Sequence, residues 1–235
     1  MALAVEGTPT KTFGSAASSL TWSHTCGGDG LFVGAAIFAD PARTASSVTF
    51  NGDALTELWD FIDTFWGNCT NTGYLMCAPD AATANVVVTF SAAGDNLAAG
   101  AVGLSGLATP VASAHRTAYK NDNGKTVTVV DSVSADLVID CFFSYGTVIS
   151  AGAGQTSRCE YDNFDGSGWS FGISSEGATG ANTVMDWTSN SGGPDCIGAT
   201  ALIPAAEGGG RTTKNNRAKP LGYCSTAGTG LGMQY

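Results

Sequence analysis

The chain has 235 residues with a formal net charge of −10, and only 13% of residues are charged, about half the usual share. With 43% apolar residues it buries a real core and is not intrinsically disordered. All 20 acids and six of the ten basic residues lie in 1–207, a net of −14; residues 208–235 carry Arg211, Lys214, Arg217 and Lys219 and no acid. An acidic body argues against nucleic-acid binding through its main surface, since phosphate neutralisation needs clustered cations; the basic tail is open to nucleic acid or, at less cost, to the acidic body of a neighbour. No run of about 18 apolar residues exists to cross a membrane as a helix.

In chain order, residues 1–17 read as an extended, small and polar lead-in. Ser18–Thr25 alternates, with Leu20, Trp22 and His24 on one face. Leu31–Ala39 is a nearly continuous apolar run, which predicts a strand buried on both faces. Ser46–Phe50, Asn51-Gly52-Asp53 and Ala54–Leu58 predict a hairpin, because Asn-Gly suits the two positive-φ positions of a type I′ turn. Trp66–Gly73 reads as a polar loop. Tyr74–Cys77 and Val86–Phe90 are the next strands, and Ser91–Asn96 a loop. Leu97–Leu107 is apolar with Gly100, Gly103 and Gly106, each costing about 1 kcal/mol in a helix interior, so a strand is expected.

The second half repeats the style. Strands are expected over Val111–Tyr119, Thr126–Val130, Asp136–Tyr145, Ser157–Tyr161, Trp169–Ser174, Thr183–Trp187 and Asp195–Pro204, with turns at 121–124 and 162–166. Turn signals every 8–15 residues and no helical periodicity predict an all-β fold: an antiparallel two-sheet β-sandwich, jelly-roll-like, filling 18–206 as a single domain. Gly208–Gly210 then opens a Gly-rich basic C-terminal tail, 207–235, which cannot form its own core and packs on its own sandwich or on a neighbouring subunit.

The chemistry-bearing residues are few. There are two histidines, His24 and His115, and no G-x-S-x-G nucleophile motif. His24 reads as a strand residue. The carboxylate pairs Asp60/Asp63 and Asp162/Asp165 read as turn caps rather than a glycosidase pair or a calcium loop. Seven cysteines show no C-x-x-C. Cys77 and Cys141 read as buried hydrophobes; Cys26, Cys69, Cys159, Cys196 and Cys224 sit in Gly-rich or polar contexts and are open to pairing. Trp59 and Phe61 are expected in the core. Phe65 and Trp66 are candidates for a stacking platform or interface. No catalytic, cofactor or metal residue is expected. Residues 1–7 lack the pattern of a secretory signal, so cytoplasmic synthesis is expected.

Ser47-Val48-Thr49-Phe50-Asn51-Gly52 with Leu55-Thr56, then Tyr74-Leu75 with Ala78-Pro79, Val86–Phe90, Ala101–Gly106 and the closing Gly198–Pro204 together resemble β-sandwich domains of tailed-phage virion proteins and some bacterial surface proteins. The resemblance covers about 18–206 and implies a non-enzymatic virion structural protein, a head decoration or tail component. It implies virion localisation and partners that are further copies of the chain and other virion proteins. A glycan-binding module is the alternative, and a polysaccharide hydrolase or lyase a more distant one. Interface or ligand candidates are Phe65, Trp66, Arg211, Lys214, Arg217, Lys219, Tyr223 and Tyr235.

Overall fold

A computed structural model describes residues 2–63, 68–107, 115–120, 124–164, 166, 168–190 and 193–205. Every regular element among them is a β-strand. In order these are β1 (Ala4–Gly14), β2 (Ala17–Cys26), β3 (Gly30–Phe38), β4 (Ala45–Phe50), β5 (Asp53–Ala54), β6 (Thr56–Ile62), β7 (Cys69–Cys77), β8 (Ala82–Gly94) and β9 (Asn96–Ser105). Then follow β10 (His115–Lys120), β11 (Thr126–Val130), β12 (Leu137–Tyr145), β13 (Ile149–Ala151), β14 (Thr156–Phe164), β15 (Trp169–Gly177), β16 (Asn182–Ser189) and β17 (Asp195–Leu202). All pairings are antiparallel, and the expected sandwich architecture is present twice.

Residues 4–105 form sheets β1-β9-β3-β7-β6 and β2-β8-β4-β5; residues 115–202 form β10-β17-β12-β15-β14 and β11-β16-β13. Matched strand for strand, the two halves share one topology, that of a jelly roll, in which the chain alternates between two facing sheets. Their five-stranded sheets lie back to back, giving four layers with three apolar interiors. Leu31, Val33 and Ile37 on β3 meet Val48, Phe50, Val86 and Val88 of the first outer sheet. Phe32, Trp59, Leu75 and Val102 meet Ile139, Phe143, Phe171 and Ile173 in the central seam. Val138, Phe142 and Ile197 meet Val127, Val129, Met185 and Trp187 of the second outer sheet. This stacking explains the unbroken apolar runs of β3 and β12: each is covered on both faces.

The seam has an approximate two-fold relation. Gly34 pairs with Gly100 and Cys141 with Gly198; Lys11 pairs with Gly100 and Tyr119 with Gly198. A β-bulge precedes Trp59 in β6 and Cys159 in β14, at matching registers. The contacts are reciprocal in these equivalents. The Trp59 indole lies against Gly198, and Cys159 against Gly100, where a Cβ would be 3.0 Å from its Sγ. Phe61 stacks on Tyr119 with centroids 4.8 Å apart, and Lys11 Nζ sits 4.2 Å from the Tyr161 ring centroid. Gly34 meets Cys141 near the axis, its absent Cβ 2.9 Å from Cys141 Sγ. Residue-for-residue reciprocity of this kind is what an isologous dimer interface has, here within one chain.

Several expectations change. The lead-in is strand β1, with Ala4 opposite Ser105 and Gly14 opposite Leu97. The polar loop expected up to Gly73 is, from Cys69 on, a buried stretch of β7. Asn71 Nδ2 donates across the seam to the carbonyls of Cys141 (2.9 Å) and Cys196 (3.3 Å), and Thr72 Oγ1 donates to that of Trp59 (2.9 Å), while the buried Thr70 Oγ1 has no hydrogen-bond partner among the described residues. Ser91–Gly94 extends β8, and 162–164 extends β14. Asn51 and Gly52 both take positive φ (53° and 90°), as the hairpin reading requires.

Candidate functional site

The residues named from sequence as interface candidates, Phe65, Trp66, Arg211, Lys214, Arg217, Lys219, Tyr223 and Tyr235, lie outside the described residues. Trp59 and Phe61 are core, 4% and 7% exposed. The question becomes which polar groups the two sandwiches spend on their own structure and which they present outward.

The thiols are turned inward. Cys26, Cys69, Cys141, Cys159 and Cys196 are buried, Cys77 is half-buried, and none of the six forms a disulfide. The polar neighbours Arg158 and Glu160 of Cys159 are only part-buried, whereas those of Cys69 and Cys196, Thr70 and Asp195, are themselves buried. Burial raises the Cys159 thiol to about 12, and raises Cys69, Cys141 and Cys196 as well, so all four stay protonated and unreactive.

His24 is 1% exposed between the two sheets of the first roll. Trp22 Nε1 donates to Thr10 Oγ1 (2.9 Å), and the same hydroxyl is hydrogen-bonded to His24 Nδ1 (2.9 Å). The Thr10 hydroxyl thus bridges the indole and the imidazole, and His24 Nε2 is buried with no hydrogen-bond partner among the described residues. Burial lowers its pKa, so it is a structural, uncharged histidine.

Two carboxylate environments come closest to chemistry. Asp140, fully buried in the second roll, accepts from Trp187 Nε1 (2.9 Å) and Ser174 N (2.7 Å), with Gln155 Nε2 at 3.4 Å. Burial raises it to about 7, the two hydrogen bonds opposing the rise. With 0% exposure it has no path to a substrate. Asp60 is raised to about 6, first by burial and then by Glu57, and the Ala45 amide opposes this. Tyr74 Oη donates to Glu57 (3.3 Å), and burial, then Glu57, raises that phenol. Asp63 points away from this group, toward Asp195 and Cys196 at the seam, so the suggested Asp60/Asp63 pair is split between two interiors. Asp162, expected to cap its own turn, lies instead within β14 and accepts from Ile149 N of β13 (2.8 Å); Asp165 lies outside the described residues. Among the described residues no group of three or more His, Cys, Asp or Glu is placed to hold a metal ion.

What faces outward is different in kind. The exterior of β2-β8-β4 carries Ser19, Thr21, Ser23, Thr25, Ser47, Thr49, Thr83, Asn85, Val87 and Thr89, with rows such as Thr21–Val87–Thr49 running across three strands. The exterior of β11-β16-β13 carries Thr128, Val130, Val184, Thr188 and Ser150, with Thr128 opposite Val184. Val130 and Val184 are 59% and 47% exposed. Charge enters the first face at its margin, at Asp53, and the second at Asp186, midway along the central strand β16 and opposite Thr126. Sequence reading misses these faces because β-branched polar residues in alternation look like any solvated strand.

No family model, curated protein or solved structure matches this chain.

Proposed function

We propose that this chain is a non-catalytic building block of a larger assembly, with a virion head decoration or tail component as the specific reading. The observation that carries it is the pair of sparsely charged, Ser-, Thr- and Val-rich outer faces at opposite ends of a four-layer stack. Uncharged Ser, Thr and Val surfaces associate without desolvating ions, whereas a highly charged exterior would keep copies apart. The inward placement of the thiols, His24 and Asp140 supports the same reading, since none of them is presented to a substrate.

Light scattering coupled to size exclusion tests it on the purified chain. Association that increases with concentration is the expected result. A monomer at every concentration reached, or a catalytic turnover that Asp60→Asn abolishes, would overturn the proposal.

A further inference from the structure

We propose that β11 is a docking edge for a second copy of this chain, pairing antiparallel with its own counterpart to continue the β11-β16-β13 sheet across a two-fold axis. This rests on the assembly reading above and names its surface.

Soluble β-proteins guard their sheet edges with charge, proline, bulges or short strands. Here the edges of the five-stranded sheets follow that rule. β1 has Pro9, Lys11 and a bulge, β6 has Glu57, Asp60 and a bulge, β14 has Arg158, Glu160, Asp162 and bulges, and β10 has Arg116 and Lys120. In the outer sheets β5 has two residues and β13 three. The two exceptions are β2 and β11, equivalent strands of the two rolls, with no charged residue, proline or glycine. β2 carries a bulge between Ala17 and Ser19, whereas β11, Thr126-Val127-Thr128-Val129-Val130, is regular throughout. β11 is also the edge beside exposed apolar surface, Val130, Val184 and Val133.

The ladder geometry fits. Trp187 N donates to Lys125 O (2.9 Å), so residues 125, 127 and 129 bond inward to β16. Thr126, Thr128 and Val130 therefore aim their amides and carbonyls away from it. Antiparallel self-pairing centred on Thr128 sets Thr126 opposite Val130 of the other copy and Thr128 opposite Thr128. It sets Val127 opposite Val129, extending the buried valine layer, since both are at most 6% exposed within one copy. At the flanks Lys125 turns inward to Asp195 (3.4 Å) and to the Ser189 carbonyl (3.0 Å), and Asp131 leaves the strand at φ 59°, so no like charges face each other within the paired segment and this same strand fits every position of it.

The test is a charge swap at the axis. Thr128→Lys and Thr128→Glu are each mixed only with themselves, then with one another, and followed by sedimentation velocity beside the unaltered chain. The axis places like charges face to face in either variant alone, so each dissociates about tenfold more readily than the unaltered chain, and the equimolar mixture recovers association. Thr128→Pro, which removes an outward amide and leaves the β16 ladder intact, also weakens it. Unchanged melting curves establish that the variants are folded. Variants that associate like the unaltered chain would overturn the β11 edge while leaving the assembly reading standing. An unaltered chain that stays monomeric overturns both.

Discussion

Gly198→Ala is the sharpest probe of the seam. A Cβ at 198 would fall inside contact distance of Trp59 Nε1 and Cε2, and 2.9 Å from Cδ1. The indole has nowhere to retreat. On its other side a Cβ at Gly73 would be only 2.5 Å from its Cη2, and its Nε1 is bonded to Asn71 Oδ1 at 2.8 Å. Overpacking of this kind costs about 1–3 kcal/mol. Loss of the Trp59–Asn71 bond adds about 1 kcal/mol if the ring shifts. Replacing glycine in a strand returns about 0.5–1 kcal/mol of backbone entropy. The net expectation is a loss of about 1–3 kcal/mol by equilibrium urea unfolding. In a Trp59→Leu background the same substitution meets open space and becomes neutral or slightly stabilising, a coupling of about 2 kcal/mol across the seam. The equivalent Gly100→Ala meets the Ile173 Cδ1 tip at 2.8 Å and Cys159 Sγ at 3.0 Å, which give way more easily, so its loss is smaller. Equal losses from Gly198→Ala with and without Trp59 would refute the packing argument.

Asp140 titrates with the opposite sign to an ordinary surface carboxylate. Its folded pKa, about 7, exceeds the ordinary 3.8, so its contribution to stability is complete below about pH 4 and is lost as pH rises to about 7. Asp140→Asn should therefore gain stability relative to the parent between pH 5 and 8, and a pH-independent difference would sink the idea. His24 works from the other side: its pKa is lowered from 6.5, so stability present above that value falls as the solution is acidified. His24→Leu should flatten that acid limb in a pH series of melts. Tyr119→Ala removes the ring stacked on Phe61 and should cost about 0.5–1.5 kcal/mol beyond lost area, read against Tyr119→Leu. Thiol reagents should label Cys77 far faster than Cys69, Cys141, Cys159 or Cys196 in the native protein, and label those four only at the rate of unfolding.

The strands were legible because their signals are local. Asn51-Gly52 specifies its turn through backbone sterics, and the apolar lengths of β3 and β12 report two covered faces. The second sandwich, stacked on the first, was not legible, because equivalence lies in register rather than residue type: Trp59 corresponds to Cys159 and Gly34 to Cys141. Nor does sequence show that Cys69–Gly73 is interior. A Cys-Thr-Asn-Thr-Gly string looks solvated until Asn71 is seen bonding Trp59 and two carbonyls of the opposite sheet. Of the candidate site, the small uncharged character of the surface was readable from composition, but its concentration on two opposed faces depends on the stacking.

The stacking also bears on function. If each roll is taken as one protomer of an ancestral pair, fusion made the seam permanent and freed its two sides to diverge. They have done so by exchanging volume: Trp59 is large against Gly198, while Cys159 is small against Gly100 beside Ile173. Close complementarity of unequal parts can evolve only where the partner is fixed, so the seam is committed to holding the halves together. The equivalent outer faces had no such partner within the chain. They are built mainly of alternating Ser, Thr and Val, with Asp53 and Asp186 as the charges they carry, fewer than guard the edges of the five-stranded sheets. Two exposed faces so sparsely charged, in a chain whose acids are otherwise plentiful, are what the assembly proposed above requires.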